Sequence, residues 1–364
     1  MSGGRSGGRG GKLSYSPAVE SDSESANEVR RTQNSGYSRK ETRRMARTLR
    51  AFAAAAAAAA GAAPQLSALV QIGASRTYTL VRVLDSGQLT PVFNATFPGP
   101  GIMSGVTAAS GDAWWCTPPF AQQASEGLLL LNVTAQTTTA VPVTNPAGAP
   151  GAFVVGEMAA SDVPGDAVGL LAPDNNKAWL AVAELSPSGG APRVRLNLSA
   201  EGAGFAGIAP SFATFDPASR TLFFAAAVDG QDLLLAAPLD GSTPNPSSLW
   251  NVSLTMDAIA MVWASAIDTV VCVGIVATPQ TWGMQALDRA TGTWRPLVDW
   301  SKENFFLSGL GQITVDPTGR FVTPVVSDAA GHPTLPVVDV VAGKEVRRIT
   351  VKTPETMIAD VAWV

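Results

Sequence analysis

The stretch Gly311–Val351, GQITVDPTGRFVTPVVSDAAGHPTLPVVDVVAGKEVRRITV, constrains the fold more than any other. Gly311–Val315 is apolar and β-branched, and Asp316-Pro317-Thr318-Gly319 supplies a turn, because Pro presets φ and Gly accepts positive φ. Phe321–Val326 reads as a second strand, Asp328–Pro333 breaks the pattern, Leu335–Val341 resumes it, Gly343 turns the chain and Val346–Val351 closes the unit. The stretch therefore holds four short strands separated by turn signals.

Weaker copies recur upstream. Blocks at 103–145, 152–200, 204–255, 256–300 and 306–352 each parse as four strands, and their third-to-fourth turns fall near Ser86, Ala135, Pro187, Gly241, Thr291 and Gly343. That spacing of roughly fifty residues fits a four-stranded blade with ordinary loops, and so predicts an all-β propeller. The N-terminal block, Ala68–Ile72, Tyr78–Leu84 and Leu89–Phe97, has three strands and lacks an inner one, whereas Met357–Val364 is an inner-type strand with no blade of its own. Joining them gives a six-bladed β-propeller of four-stranded antiparallel blades without an open sheet edge.

The turn between first and second strands gives the best internal match. Phe215-Asp216-Pro217-Ala218-Ser219-Arg220 aligns with Val315-Asp316-Pro317-Thr318-Gly319-Arg320, and Leu287-Asp288-Arg289-Ala290-Thr291-Gly292 supplies a second turn type. At these residues the chain resembles the broad superfamily of YVTN-like, NHL-like and quinoprotein-like β-propellers. The resemblance covers residues 68–364 as an architecture, and the tetrapeptide that labels YVTN proteins is absent. Asp162, Asp216 and Asp316 are expected to cap their own turns, where an Asp side chain satisfies local N–H groups.

Charge is divided unevenly. Residues 1–50 hold 11 Lys or Arg against 5 acids, leaving 14 against 24 in the rest. An acidic folded region argues against nucleic acid as a partner, since phosphate binding requires clustered cations. No apolar run is long enough to span a bilayer. Residues 1–44, rich in Gly, Ser and Arg, read as disordered or as an extension of the gene prediction. Residues 45–66, MARTLRAFAAAAAAAAGAAPQL, have a basic start, an apolar run and small residues, the layout of a secretory signal peptide. An Ala-rich helix or linker is the plainer alternative, and an organelle lumen the alternative destination. The propeller domain is expected over 67–364.

Four sequons, at Asn94, Asn132, Asn197 and Asn251, agree with a secreted glycoprotein, three of them on expected outermost strands. Cys116 and Cys272 fall on second strands of opposite blades, too far apart for a disulfide, and are expected as free buried thiols. His332 is the only histidine, which excludes a His-pair metal site. Glu157, Asp257 and Asp360 lie on inner strands and are candidates for hard oxygen ligands of an axial Ca²⁺, although they do not share one register. Trp282, Trp300, Lys302, Glu303, Phe305 and Phe306, with His332, are expected near one face, where exposed aromatics with a polar rim would make a contact patch.

Two readings stay open. The first is a secreted, monomeric binding module without a cofactor, presenting loops on one face to a protein, glycan or small ligand. The second is a metal-dependent lactonase or esterase with an axial divalent ion at Glu157, Asp257 and Asp360. An oxidoreductase like the quinoprotein propellers is a weaker third, because such enzymes generally use a histidine base.

Overall fold

The structure, a computed structural model, describes residues 65–72, 77–96, 104–107, 113–117, 127–146, 153–173, 181–197, 212–228, 231–239, 249–277, 280–303, 305–307, 312–352 and 356–363. Segment 1–44 and all of the leader-like segment except Gln65 and Leu66 lie outside the described residues. Leu66 is the first residue of a strand.

Six antiparallel sheets form the blades. Blade 1 is composite: Thr356–Trp363 is its inner strand, followed outward by Leu66–Ile72, Thr77–Val83 and Leu89–Thr96. Blade 2 comprises Ser104–Thr107, Ala113–Thr117, Leu128–Asn132 and Thr137–Val141; blade 3 comprises Phe153–Ala160, Ala167–Pro173, Ala181–Leu185 and Arg193–Asn197. Blade 4 runs Ala213–Asp216, Thr221–Val228, Gln231–Pro238 and Trp250–Ser253, and blade 5 Met256–Ala264, Thr269–Ala277, Gln280–Asp288 and Thr293–Asp299. The chain is a six-bladed β-propeller closed by its two ends, as the repeat spacing predicts.

Blade 6 departs from the simple pattern. Its first strand is split into Phe306–Leu307 and Ile313–Val315, and its second into Phe321–Pro324 and Val326–Ser327, before Pro333–Asp339 and Lys344–Thr350 complete it. The break in the second strand follows Pro324, which has no N–H to donate to a ladder.

Closure rests on the register between Leu66–Ile72 and the C-terminal strand, which pairs Leu66 with Trp363 and Ile72 with Thr356. Each inner strand packs on the next around the axis, and the strand from Thr356 to Trp363 sits between those of blades 6 and 2. Six apolar cores fill the six seams. Leu335, Ile349 and Val351 of blade 6 meet Ala68, Ile358 and Val361 of blade 1, and Tyr78, Leu80 and Ala359 of blade 1 meet Trp114, Cys116 and Leu131 of blade 2. Both faces of the composite blade are thus buried, and the C-terminal strand pairs the edge that Leu66–Ile72 would otherwise expose. Cys116 and Cys272 are buried and free, on blades 2 and 5.

Candidate functional site

The two faces of the ring differ. One carries the connections from first to second and from third to fourth strands, and apart from residues 239–249 in blade 4 these are short. Asp316 illustrates how they are held: its carboxylate accepts from the backbone N–H of Arg320 at 2.8 Å and Phe321 at 2.7 Å and from the Thr318 hydroxyl at 2.6 Å. Asp216 likewise accepts from Ala218 N–H at 2.9 Å and the Ser219 hydroxyl at 2.5 Å. Both are structural caps, as expected. Asp162 is not. The Ser161 N–H donates to the Asp166 carbonyl as that of Asp316 donates to Phe321, so Ser161 occupies the capping position and its hydroxyl accepts from Val163 N–H at 3.2 Å.

Asp162, one residue past the cap, is free to reach across the seam to Arg220 of blade 4. The same guanidinium donates to Glu184 at 2.6 Å, and Glu184 also accepts from Arg195 at 2.6 Å. Burial first, and then the Glu184 and Asp162 charges, raise the carboxyl of nearby Asp166. Arg320, the sequence counterpart of Arg220, stays within its own blade, bonding Asp339 at 2.7 Å and holding that carboxyl down at about 2. The difference follows from the turns: Arg220 itself has φ +51, whereas Gly319 takes the left-handed residue in blade 6 with φ +72. Aligned sequence did not reveal this, because the same tetrapeptide spacing hides a one-residue shift in where the backbone reverses.

Further ties join blade 6 to blade 1 and blade 5 to blade 4. Arg347 of blade 6 bonds Asp85 of blade 1 at 2.5 Å and lies over the Trp363 ring, and Arg289 of blade 5 sits 5.5 Å from the stacked rings of Phe223 and Trp263. An open groove on this face is lined by Asp268, Asp288, Arg289 and Arg295, among others, so its cations are offset by acids on the same walls.

At the opposite face the strands are separated by the longest stretches of sequence, between Thr117 and Leu128, Val141 and Phe153, and Asn197 and Ala213. The expected aromatic patch belongs to its rim but does not form. Trp300 and Phe305 are 3% and 5% exposed and meet edge to face at 5.7 Å in the core between blades 5 and 6. The reason is local: the Trp300 N–H donates to the Trp282 carbonyl, turning the indole inward, where its Nε1 donates to Glu345 at 2.9 Å. Trp282 is half-buried against the same core, and the Phe306 side chain lies outside the described residues. Lys302 is exposed; Glu303 instead bonds Arg348 at 2.9 Å, and Arg348 covers the Phe305 ring. His332 is half-buried in the second-to-third connection of blade 6, its Nδ1 3.3 Å from Asp328.

The three axial acids are likewise not one site. Among the described residues no group of three or more His, Cys, Asp or Glu is placed to hold a metal. Asp257 is exposed at the start of its strand. Glu157 stands in a bulge, where Val155 pairs with Leu171 but Met158 with Gly169, and burial pushes its carboxyl up to about 8. Asp360 flanks another bulge, at Ala359, and is 4% exposed; burial raises it to about 7 against an opposing hydrogen bond from Val361 N–H. Bulges re-aim side chains independently on each blade, which is why strict alternation misplaces these acids.

Of the sequons, Asn94 and Asn251 are exposed on fourth strands. Asn132 is half-buried and caps a turn by accepting from Ala135 N–H at 2.7 Å, and Asn197 is half-buried.

No known protein family's profile matches the chain, and no curated protein sequence matches it. Solved structures do. TolB from Acinetobacter baumannii superposes with a TM-score of 0.53 at 12% identity, over 82% of this chain and 66% of that one. The propeller in a nidogen/laminin complex gives 0.51 at 12% identity, over 83% and 98%, and a putative TolB from Agrobacterium tumefaciens gives 0.51 at 11%, over 83% and 99%. The likeness is one of fold. This chain shares with them the β-propeller fold.

Proposed function

We propose that this propeller is a non-enzymatic binding module whose ligand contacts lie on the face where successive strands are separated by the longest stretches of sequence. The observation that carries the reading is the asymmetry of the two faces. One is built of short turns locked by caps and inter-blade ion pairs, a rigid base; at the other the strands are separated by the longest stretches of sequence, and long connections are where scaffolds place recognition. A fold neighbour seen in a nidogen/laminin complex supports a protein as the ligand. The exposed sequons Asn94 and Asn251, on fourth strands, favour a secreted chain.

The test is a binding screen of the full chain against extracellular proteins and glycans, repeated with residues 198–212 replaced by a short Gly-Ser linker and, separately, with Lys344→Glu on the short-turn side. Binding lost with the linker and kept with K344E is expected. Binding that survives the linker and fails with K344E would place the contact on the other face. Secretion is tested by expression in a eukaryotic secretory host, where N-glycosidase should shift the medium form; a chain retained in the cytosol and unshifted would refute it.

A further inference from the structure

We propose that the strand which closes the ring is a proton-linked latch, held shut while the buried Asp360 carboxyl is uncharged and loosened when that carboxyl ionises. Three features place this property in the segment from Thr356 to Trp363. It is the inner strand of blade 1 yet comes from the far end of the chain, paired with one sheet neighbour, Leu66–Ile72, and tied to blade 6 by Gln312, whose Nε2 donates to the Ala359 carbonyl at 2.5 Å. Asp360 lies in its middle, and the Oδ2 atom is buried without a hydrogen-bond partner, while Oδ1 accepts only from Val361 N–H at 2.8 Å. The ladder is already interrupted beside it, at the Ala359 bulge, where opening costs least.

The cation against the latch, Arg347, lies over the Trp363 ring and is bound to Asp85, and among the described residues no cation pairs with Asp360. The strands packed on the latch, Leu66–Ile72, Ser104–Thr107 and Ile313–Val315, contain no ionisable side chain, and the fourth, Pro333–Asp339, ends in Asp339, which is bound to Arg320. On the blade 2 side the titratable groups are thiol and phenol. Cys116 is raised well above its usual value, by burial first and by Asp360 second, and Tyr78 lies in the same core. Trp114 adds a buried Nε1 without a partner to that core, so the seam is short of polar satisfaction on both sides. An ionised Asp360 can therefore be stabilised only by water, and water reaches it only if the strand moves.

The direction with pH follows. In the opened strand the carboxyl titrates near its ordinary value of about 3.9; in the closed ring burial holds it at about 7. The closed form binds a proton that the opened form has released between those values, so closure weakens as pH rises through that window and levels off above it. The ring is tightest in acid surroundings and slackest at neutral pH and above.

Hydrogen exchange of the intact full chain, read by mass spectrometry at pH 5, 6, 7 and 8 and corrected for intrinsic rates, tests this. Protection of residues 356–363 should fall roughly tenfold per unit from pH 5 to 7 and then flatten, relative to Met256–Ala264, the inner strand of blade 5. In Asp360→Asn the fall should vanish. Equal pH dependence of the two strands in the unaltered chain would overturn the latch, and it decides the matter even if D360N does not fold; a D360N protein that keeps the full slope would overturn it as well.

Discussion

Replacing Glu157 by Gln should stabilise the propeller, and by an amount that depends on pH. The free side chain titrates near about 4.3, whereas burial in the blade 3 bulge holds the folded group at about 8. Between those values the folded chain carries a proton that the unfolded chain has lost, so the acid costs stability progressively as pH rises and most at and above 8. Each unit of separation is worth about 1.4 kcal/mol, giving an upper figure of about 4 kcal/mol at pH 7 and, discounted for the partial exposure of the side chain, about 2–3 kcal/mol. Glutamine keeps the shape without the charge. Urea unfolding of the two proteins should give coincident curves at pH 4.5, with E157Q ahead by about 2–3 kcal/mol at pH 7. A difference that does not change with pH, or a less stable E157Q at pH 7, would refute the argument that this carboxyl is held uncharged by burial.

Other consequences are local. Arg220→Ala removes the blade 4 guanidinium that half-buried Asp162 and Glu184 of blade 3 share across the seam and should cost about 1–3 kcal/mol in urea unfolding, with Arg220→Lys recovering part of it because one ammonium cannot serve both carboxylates in fork geometry. Gly319→Ala forces a side chain onto a residue at φ +72, with its Cβ 2.7 Å from the Ser265 N of blade 5, whereas Gly331, at φ +81, faces open space. The first should cost more than about 2 kcal/mol and the second about 1, and equal losses would show that the inter-blade contact is unimportant. Peptide mapping without reductant should find Cys116 and Cys272 unlinked, since burial raises both thiols and they stand on opposite blades.

Much of the fold was legible because a propeller announces itself by period. Turn residues such as Asp316-Pro317 and Asp288 to Gly292 recur at blade spacing, and the strand left over at the C-terminus has only one place to go. The division of blade 6 into shorter strands was carried by Pro324, visible in the sequence, but its effect depends on which neighbour the missing N–H would have served. Side-chain destinations were less legible. Arg220 and Arg320 share a motif yet serve different blades, because a left-handed residue moves by one position; Trp300 turns inward on a single backbone bond to Trp282; and bulges at Glu157 and Ala359 cancel the alternation from which channel residues are read. Each is a one-residue displacement, below what a strand pattern specifies.

Everything proposed for this chain presupposes a ring completed by its last strand. Removing residues 356–364 exposes the apolar edge of Leu66–Ile72 and empties Ile358, Val361 and Ala362 from the cores on both sides of blade 1. The direct measurement is thermal unfolding of the truncated chain beside the full one, followed by addition of a synthetic peptide of residues 356–364. The structure predicts a truncated protein that melts at least about 10 °C lower and is restored in part by the peptide. A truncated protein with the melting temperature of the full chain, indifferent to the peptide, would contradict closure by the C-terminal strand.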